Sequence, residues 1–284
     1  MNDETRRDLE GLALAARERA LELAAHGGCY LGSAFSCADL LAFLYRRVLR
    51  VSPATVDDPD RDWFLLSKGH AVPALYGVLA ELGFFDAARL RHHLRTHESI
   101  YWHPHPSVPG VEFPAGSLGH LLAVGLGVAL DLKLRRQAAR VFVLLGDGEL
   151  NEGSCWEGLL TAPALGLDNL RVIVDRNRFQ ANRPTEALVP LEPLEAKLRA
   201  FGWNVTRADG HDFGALERAF RELEAAGGHP SALIADTIRG RGLPSMEDRA
   251  DRWFVSVGPD EVAALRGELR AARPTAEPAG EVRC

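Results

Sequence analysis

Paired cysteines, a long apolar run and an excess of positive charge are all missing from this sequence. The four cysteines, Cys29, Cys37, Cys155 and Cys284, are scattered without CxxC spacing. That excludes a disulfide framework and a zinc site, and leaves them as small core residues, with Cys284 in a tail. No apolar stretch approaches the roughly 20 residues needed to span a bilayer, and Met1 to Arg7 is polar, so a cytoplasmic protein is expected. The net charge of −6 excludes a chain built chiefly to grip nucleic acid phosphates.

What is present suits a globular domain. Hydrophobic residues are 46% and charged residues 25% of the 284 positions, enough apolar content for a sizeable core. No linker divides the chain, so residues 1–271 read as one domain. Residues 272–284, rich in Ala, Pro, Glu and Gly, read as a disordered tail.

Leu9, Leu12, Ala16 and Leu23 fall at helical spacing and predict a helix over about residues 5–25. A second helix is expected over Ala38 to Leu49, ended by the polar, proline-bearing stretch Ser52 to Asp60. A third starts near Pro73 and stops at Gly83. In the middle, "RVFVLLGDG" is a short β-branched run broken at Gly146-Asp147-Gly148, the pattern of a strand buried on both faces of a parallel sheet. A helix over Glu152 to Leu165 and a strand over Asn169 to Asp175 complete a βαβ unit. "GWNVTRADG", a helix from Phe213 to Ala226 and "SALIADTIRG" repeat the order. The fold class is therefore α/β, a doubly wound, mainly parallel sheet with helices on both faces.

In such sheets ligands sit beyond the carboxyl ends of the strands. Asp147 follows one strand directly and Asn177 closely follows the next, so neighbouring strands would bring both to one rim. A carboxylate and an amide oxygen are hard ligands suited to Mg²⁺ or Ca²⁺, and Mg²⁺ fills its remaining positions with phosphate oxygens and water. Gly148 lets the backbone approach a phosphate and offers its N–H there. Taken alone, Gly-Asp-Gly after a strand is an ordinary turn.

The surroundings change that. "GDGELNEGSCWEGLLTAPALGLDNLRVIVDRNRFQ" resembles the thiamine diphosphate signature in its transketolase form. "SKGHAVPALYGVLAELGFF", "HPHPSVPGVEFPAGSLGHLLAVGLGVAL" and "DTIRGRGLPSMED" are similar, in order, to further transketolase segments. The resemblance implies thiamine diphosphate held through Mg²⁺, for which Ca²⁺ can substitute. Asp147 and Asn177 would bind the metal by side chain and Phe179 by its carbonyl. His70 would sit by the diphosphate, with Gly148 donating to it. Gly116 and Leu118 would line the cofactor cleft, Glu152 would support the metal loop and His103 would face the donor substrate. His92, His93 and His97 are expected on a solvated face, and Trp156 in core packing.

Three segments depart from the family pattern. Tyr30 and Phe254 stand where the family has histidines facing the substrate, and His120 and Leu121 replace Gln and Gly. Phenol and phenyl remove proton-transfer capacity and make the pocket more apolar, pointing to a specialised substrate. The family also needs a glutamate against N1′ of the cofactor's aminopyrimidine, carried on a half not found in this sequence. The resemblance thus implies a two-carbon ketol transferase working with a pyrimidine-binding partner chain, as an α₂β₂ assembly. The alternatives are the α subunit of a 2-oxo acid dehydrogenase, which shares GDG…N, and a non-catalytic scaffold.

Overall fold

The computed structural model describes residues 1–272. Its elements run, in chain order, α1 (Asp3–Ala25), α2 (Leu31–Phe43), β1 (Trp63–Leu66), α3 (Val72–Glu81), α4 (Leu121–Leu134), β2 (Val141–Gly146), α5 (Gly153–Ala164) and β3 (Leu170–Arg176). A small hairpin, β4 (Phe179–Gln180) and β5 (Arg183–Pro184), follows. The remainder is α6 (Thr185–Leu188), α7 (Leu194–Ala200), β6 (Asn204–Asp209), α8 (Phe213–Ala226), β7 (Ser231–Asp236) and α9 (Pro259–Ala271).

Five strands form one sheet in the order β1-β2-β3-β7-β6, every pair parallel. All six residues of β2 are buried, because helices cover both of its faces. Alternation along the strands sorts the core into two. Phe142, Leu144 and Ile173 face α1, α2, α3, α8 and α9, whereas Val143, Leu145 and Val174 face α4, α5 and α7. Each such side chain contributes about 1.5–3 kcal/mol by leaving water. The doubly wound α/β expectation is met. Helix α8 shows the amphipathic logic plainly: Phe213, Leu216, Ala219, Phe220 and Leu223 are buried, and the Asp212 carboxylate caps it by accepting from Gly214 N at 2.7 Å.

Two local readings change. Helix α2 starts at Leu31, not Ala38, and gives way to a π-helical turn over Leu44–Val48. All 13 of its residues are buried, so it has no polar face to mark its limits. Strand β1 is an addition to the expected elements. The predicted tail lies outside the described residues apart from Ala272, which caps α9. No helix among the described residues is long and apolar enough to cross a membrane.

Candidate active site

Strands β2 and β3 pair with Gly146 opposite Asp175, so the residues that follow emerge side by side at the carboxyl edge. There they line one cavity of about 340 Å³, together with Tyr30, His70, His103, Gly116, Leu118, Gly148 and Phe179. Asp147 and Asn177 both belong to it. Phe254, His120 and Glu152 do not.

The Asp147 carboxylate is fully buried, and burial pushes its pKa up, opposed by the Arg176 guanidinium beside it. Its Oδ2 accepts from Arg176 Nη1 and Arg178 N, each at 2.7 Å, and from Thr185 Oγ1 at 3.4 Å. Its Oδ1 accepts only from Gly148 N, at 2.8 Å. Arg178 reaches Oδ2 by adopting the left-handed φ of 69°. Asn177 donates from Nδ2 to Ser36 Oγ and Asp175 Oδ2, both at 3.3 Å, which fixes the amide so that Oδ1 accepts from Phe179 N at 3.0 Å.

Alternation along β3 therefore divides labour. Asp175 and Asn177 point toward α2 and meet Ser36, while Arg176 between them points the other way, to Asp147, Glu186 and Glu192. Beneath the cavity Asp175 also accepts from the fully buried ammonium of Lys68 and the hydroxyl of Thr237.

The donor set fits a small divalent cation. Asp147 Oδ1 and Asn177 Oδ1 each keep a lone pair after their one protein bond. Among the described residues no cluster of three or more His, Cys, Asp or Glu could hold a metal, so a cation here needs mixed oxygen ligands and phosphate. The cavity also fits an anion. Arg239 is buried, and among the described residues its Nε and Nη2 find no acceptor. Burial draws its pKa down to about 10, still charged at neutral pH. A Cβ on Gly148 would lie 2.8 Å from Gln180 Cβ, so glycine keeps that edge open.

His70 Nε2 lies 2.8 Å from Ser33 Oγ. Burial, then the Lys68 charge, lowers the His70 pKa to about 3, and burial lowers that of His103. Both imidazoles are neutral at pH 7.

Four expectations need correction. Glu152 is exposed, and the loop is held instead by buried Glu149, which accepts from Gly146 N at 3.1 Å, Gly119 N at 2.9 Å and Ser67 Oγ. Phe254 lies outside the cavity against Gly28, and Trp253 lines it instead, its ring centroid 5.2 Å from that of Tyr30. His120 is exposed at the start of α4. His93 is buried rather than solvated, with Nδ1 3.0 Å from Ile100 O and Nε2 3.3 Å from Gly28 O. Trp156 packs against the core outside the cavity, as expected, its indole donating to Leu150 O at 2.6 Å. Sequence reasoning passed over Lys68, Arg239, Glu149 and Trp253. A cation inside each of two segments near a presumed diphosphate was the signal available for the first two.

A larger cavity, about 500 Å³, lies among α1, α8 and the loop carrying Arg241. Its buried charges serve one another: Arg17 spans both oxygens of Asp39 at 2.9 and 2.7 Å, and His211 Nδ1 lies 2.6 Å from Asp39 Oδ2.

Comparison with known proteins agrees with this geometry. A family model described as "Transketolase, thiamine diphosphate binding domain" matches residues 15–276. One of the named subunits of the apulose-4-phosphate transketolase of Phocaeicola vulgatus is 38% identical over 229 residues, 80% of this chain and 81% of that protein. Transketolase-like protein 2 of Mus musculus is 40% identical over 248 residues, 84% of this chain but only 39% of the relative. The solved transketolase of Campylobacter jejuni superposes with a TM-score of 0.85 at 25% identity, covering 95% of this chain and 43% of that one. With the family model spanning nearly the whole chain and the fold shared with a solved transketolase, this protein belongs to the transketolase family, in its N-terminal, thiamine diphosphate-binding part.

Proposed function

We propose that the chain is the cofactor-holding subunit of a two-chain transketolase, moving a two-carbon ketol unit from a ketose-like donor to an aldehyde acceptor. One observation carries this reading: Asp147, Asn177, Gly148, Lys68, His70 and Arg239 converge on a single cavity at the carboxyl ends of adjacent strands. Asp147, Asn177 and the Phe179 carbonyl would hold Mg²⁺. Gly148 N and the Arg239 cation would face the diphosphate, with the Lys68–Asp175 pair as the floor beneath and Gly116 and Leu118 along the ring cleft. When bound, thiamine diphosphate supplies the carbanion-stabilising chemistry that protein side chains lack.

The chain's own residues bind, orient and exclude water. Neutral His103 offers one N–H and one lone pair toward substrate hydroxyls, while His70, with Nε2 engaged by Ser33 Oγ, keeps only Nδ1 for the diphosphate side. Tyr30 and Trp253 wall the substrate side with aromatic surface, favouring a donor other than ordinary pentose phosphates. A partner is needed because the carboxylates lining the cavity, Asp147 and Glu149, are both occupied by donors from this chain. Neither is free to serve the aminopyrimidine. The P. vulgatus relative carries the name of one subunit in a multi-chain transketolase, which supports two chains. So does the apolar surface at Leu134, Leu160 and Leu165 around α4 and α5, which a second subunit of an α₂β₂ assembly would cover.

The test is thermal unfolding with Mg²⁺ and thiamine diphosphate, with and without the partner, beside Asp147→Ala. The cofactor and metal together should raise Tm in the wild type, more so with partner, and not in Asp147→Ala. Turnover by the purified single chain would overturn the two-chain reading.

A further inference from the structure

Resting on the reading of Arg239 as the cation that faces the diphosphate, we infer that His211 is a positioning residue for the cofactor, aiming Arg239 into the cavity from outside it. Arg239 lies just beyond the end of β7, in irregular chain. Its side chain is buried, with the guanidinium 5.3 Å from the Phe179 ring centroid and Nη1 donating to Ala181 O. Nε and Nη2 have no acceptor among the described residues. Their direction is therefore set largely by the backbone that carries them.

Three N–H groups pin that backbone. Thr237 N donates to Arg176 O at 3.2 Å, and Gly240 N to Gly32 O at 2.9 Å. Between them Ile238 N donates to Nε2 of His211 at 2.8 Å. The β6–β7 ladder runs out with Gly210 N on Asp236 O at 2.7 Å, and beyond it the imidazole stands in for a strand carbonyl. Gly210 permits the close approach, since a Cβ there would lie 2.5 Å from Thr237 Cγ2.

The ring is itself locked. Ile238 N–H is a donor, so Nε2 is the acceptor and the ring proton sits on Nδ1, which donates to Asp39 Oδ2 at 2.6 Å. Arg17 grips Asp39 through both oxygens, at 2.9 and 2.7 Å. Burial would raise the Asp39 pKa, but the Arg17 charge and the His211 bond more than offset it and hold the carboxyl well below the ordinary range. The acceptor stays ionised. Helices α1 and α2 thus fix a loop beyond β7 through one imidazole. His211 lines the larger cavity and not the cofactor cavity, so it reaches the cofactor only through Arg239.

The experiment uses the full chain at saturating Mg²⁺ and reads the thiamine diphosphate concentration that gives half of the full stabilisation against heat. Arg239→Met should raise that concentration about tenfold, ~1.4 kcal/mol. His211→Asn can still donate to Asp39 but is too short to reach Ile238 N, and should raise it by a similar factor. Should that variant fail to fold, His211→Phe takes its place. A histidine that merely holds the fold together would add its effect whatever stands at position 239. Acting through Arg239, it should not: the double variant should stay within about twofold of Arg239→Met alone. His211→Gln, whose side-chain oxygen can accept from Ile238 N, should recover most of the loss. Factors that multiply in full, a His211 variant that binds as wild type, or a glutamine no better than asparagine overturns the inference and leaves the cofactor reading intact. An Arg239→Met that binds as wild type refutes the place given to the diphosphate, and the inference falls with it.

Discussion

Replacing Lys68 by methionine tests the electrostatic floor of the cavity. The ammonium is fully buried against Asp175, the carbonyl of Ser33 and the hydroxyl of Ser36. Burial alone would lower its pKa, but the Asp175 charge more than offsets that and holds the pKa above the ordinary value. Lys68→Met strands the Asp175 carboxylate in the interior with only neutral donors. Breaking one side of a buried ion pair costs about 3–5 kcal/mol. For a chain of this size each kcal/mol moves Tm by roughly 2–4 °C, so the variant should unfold about 6–20 °C lower. Adding Asp175→Asn removes the stranded charge. The double variant should therefore be more stable than the sum of the two singles by at least about 1 kcal/mol. Because Lys68 and Asp175 neutralise each other beneath the cavity, the double variant should keep its stabilisation by Mg²⁺ and thiamine diphosphate, whereas Lys68→Met, which leaves an unpaired negative charge there, should lose part of it. Thermal unfolding of the four proteins, with and without cofactor, gives every number required. A single variant within about 1 kcal/mol of wild type, or strictly additive singles, would refute the reasoning.

Glu149→Gln should cost about 1–3 kcal/mol in urea denaturation, because an amide cannot accept at both positions that now receive donors. Glu152→Gln, on an exposed side chain, should stay within about 0.5 kcal/mol. For His70 the sign follows from a folded-state pKa of about 3 against an ordinary 6.5. The unfolded chain takes up the proton first as pH falls, so the stability that neutral His70 contributes is fully present above about pH 6.5 and is lost toward pH 3. His70→Asn should therefore lose less stability than wild type between about pH 7 and pH 5, by at most about 2 kcal/mol in pH-dependent unfolding.

The parts of the fold that were legible in the sequence are those where burial leaves a one-dimensional trace. Strands β2 and β3 are apolar runs because both faces are covered, and α8 carries its period and its cap. Helix α2 is buried all round, so nothing in its pattern separates Gly32 or Ser33 from a loop. Strand β1 has only four residues, too few to show a period, and is recognisable only through its pairing with β2. The same distinction holds at the site. Asp147 and Asn177 could be placed because each follows a strand, and strand ends are readable. Glu149 and Glu152 could not be told apart, since only the 3₁₀ turn over Gly148–Asn151 folds the first back onto Gly146. Trp253 and Phe254 are neighbours in irregular chain. Their orientation comes from the mutual backbone bonds of Cys29 and Val255, each 2.9 Å, which no local pattern announces.

The alternating sides of Asp175, Arg176 and Asn177 make this stretch intolerant of a change in reading position along the strand. Deleting one residue of β3 ahead of Asp175 would put the Arg176 guanidinium in the place of Asp175, toward Lys68, and the neutral Asn177 in the place of Arg176, so one attraction becomes a repulsion while Asp147 loses its cation. Point substitutions in β3 can be absorbed one at a time. A shift of frame cannot, so the spacing between the strand's start and Asn177 should be more tightly held than the identity of any residue in between.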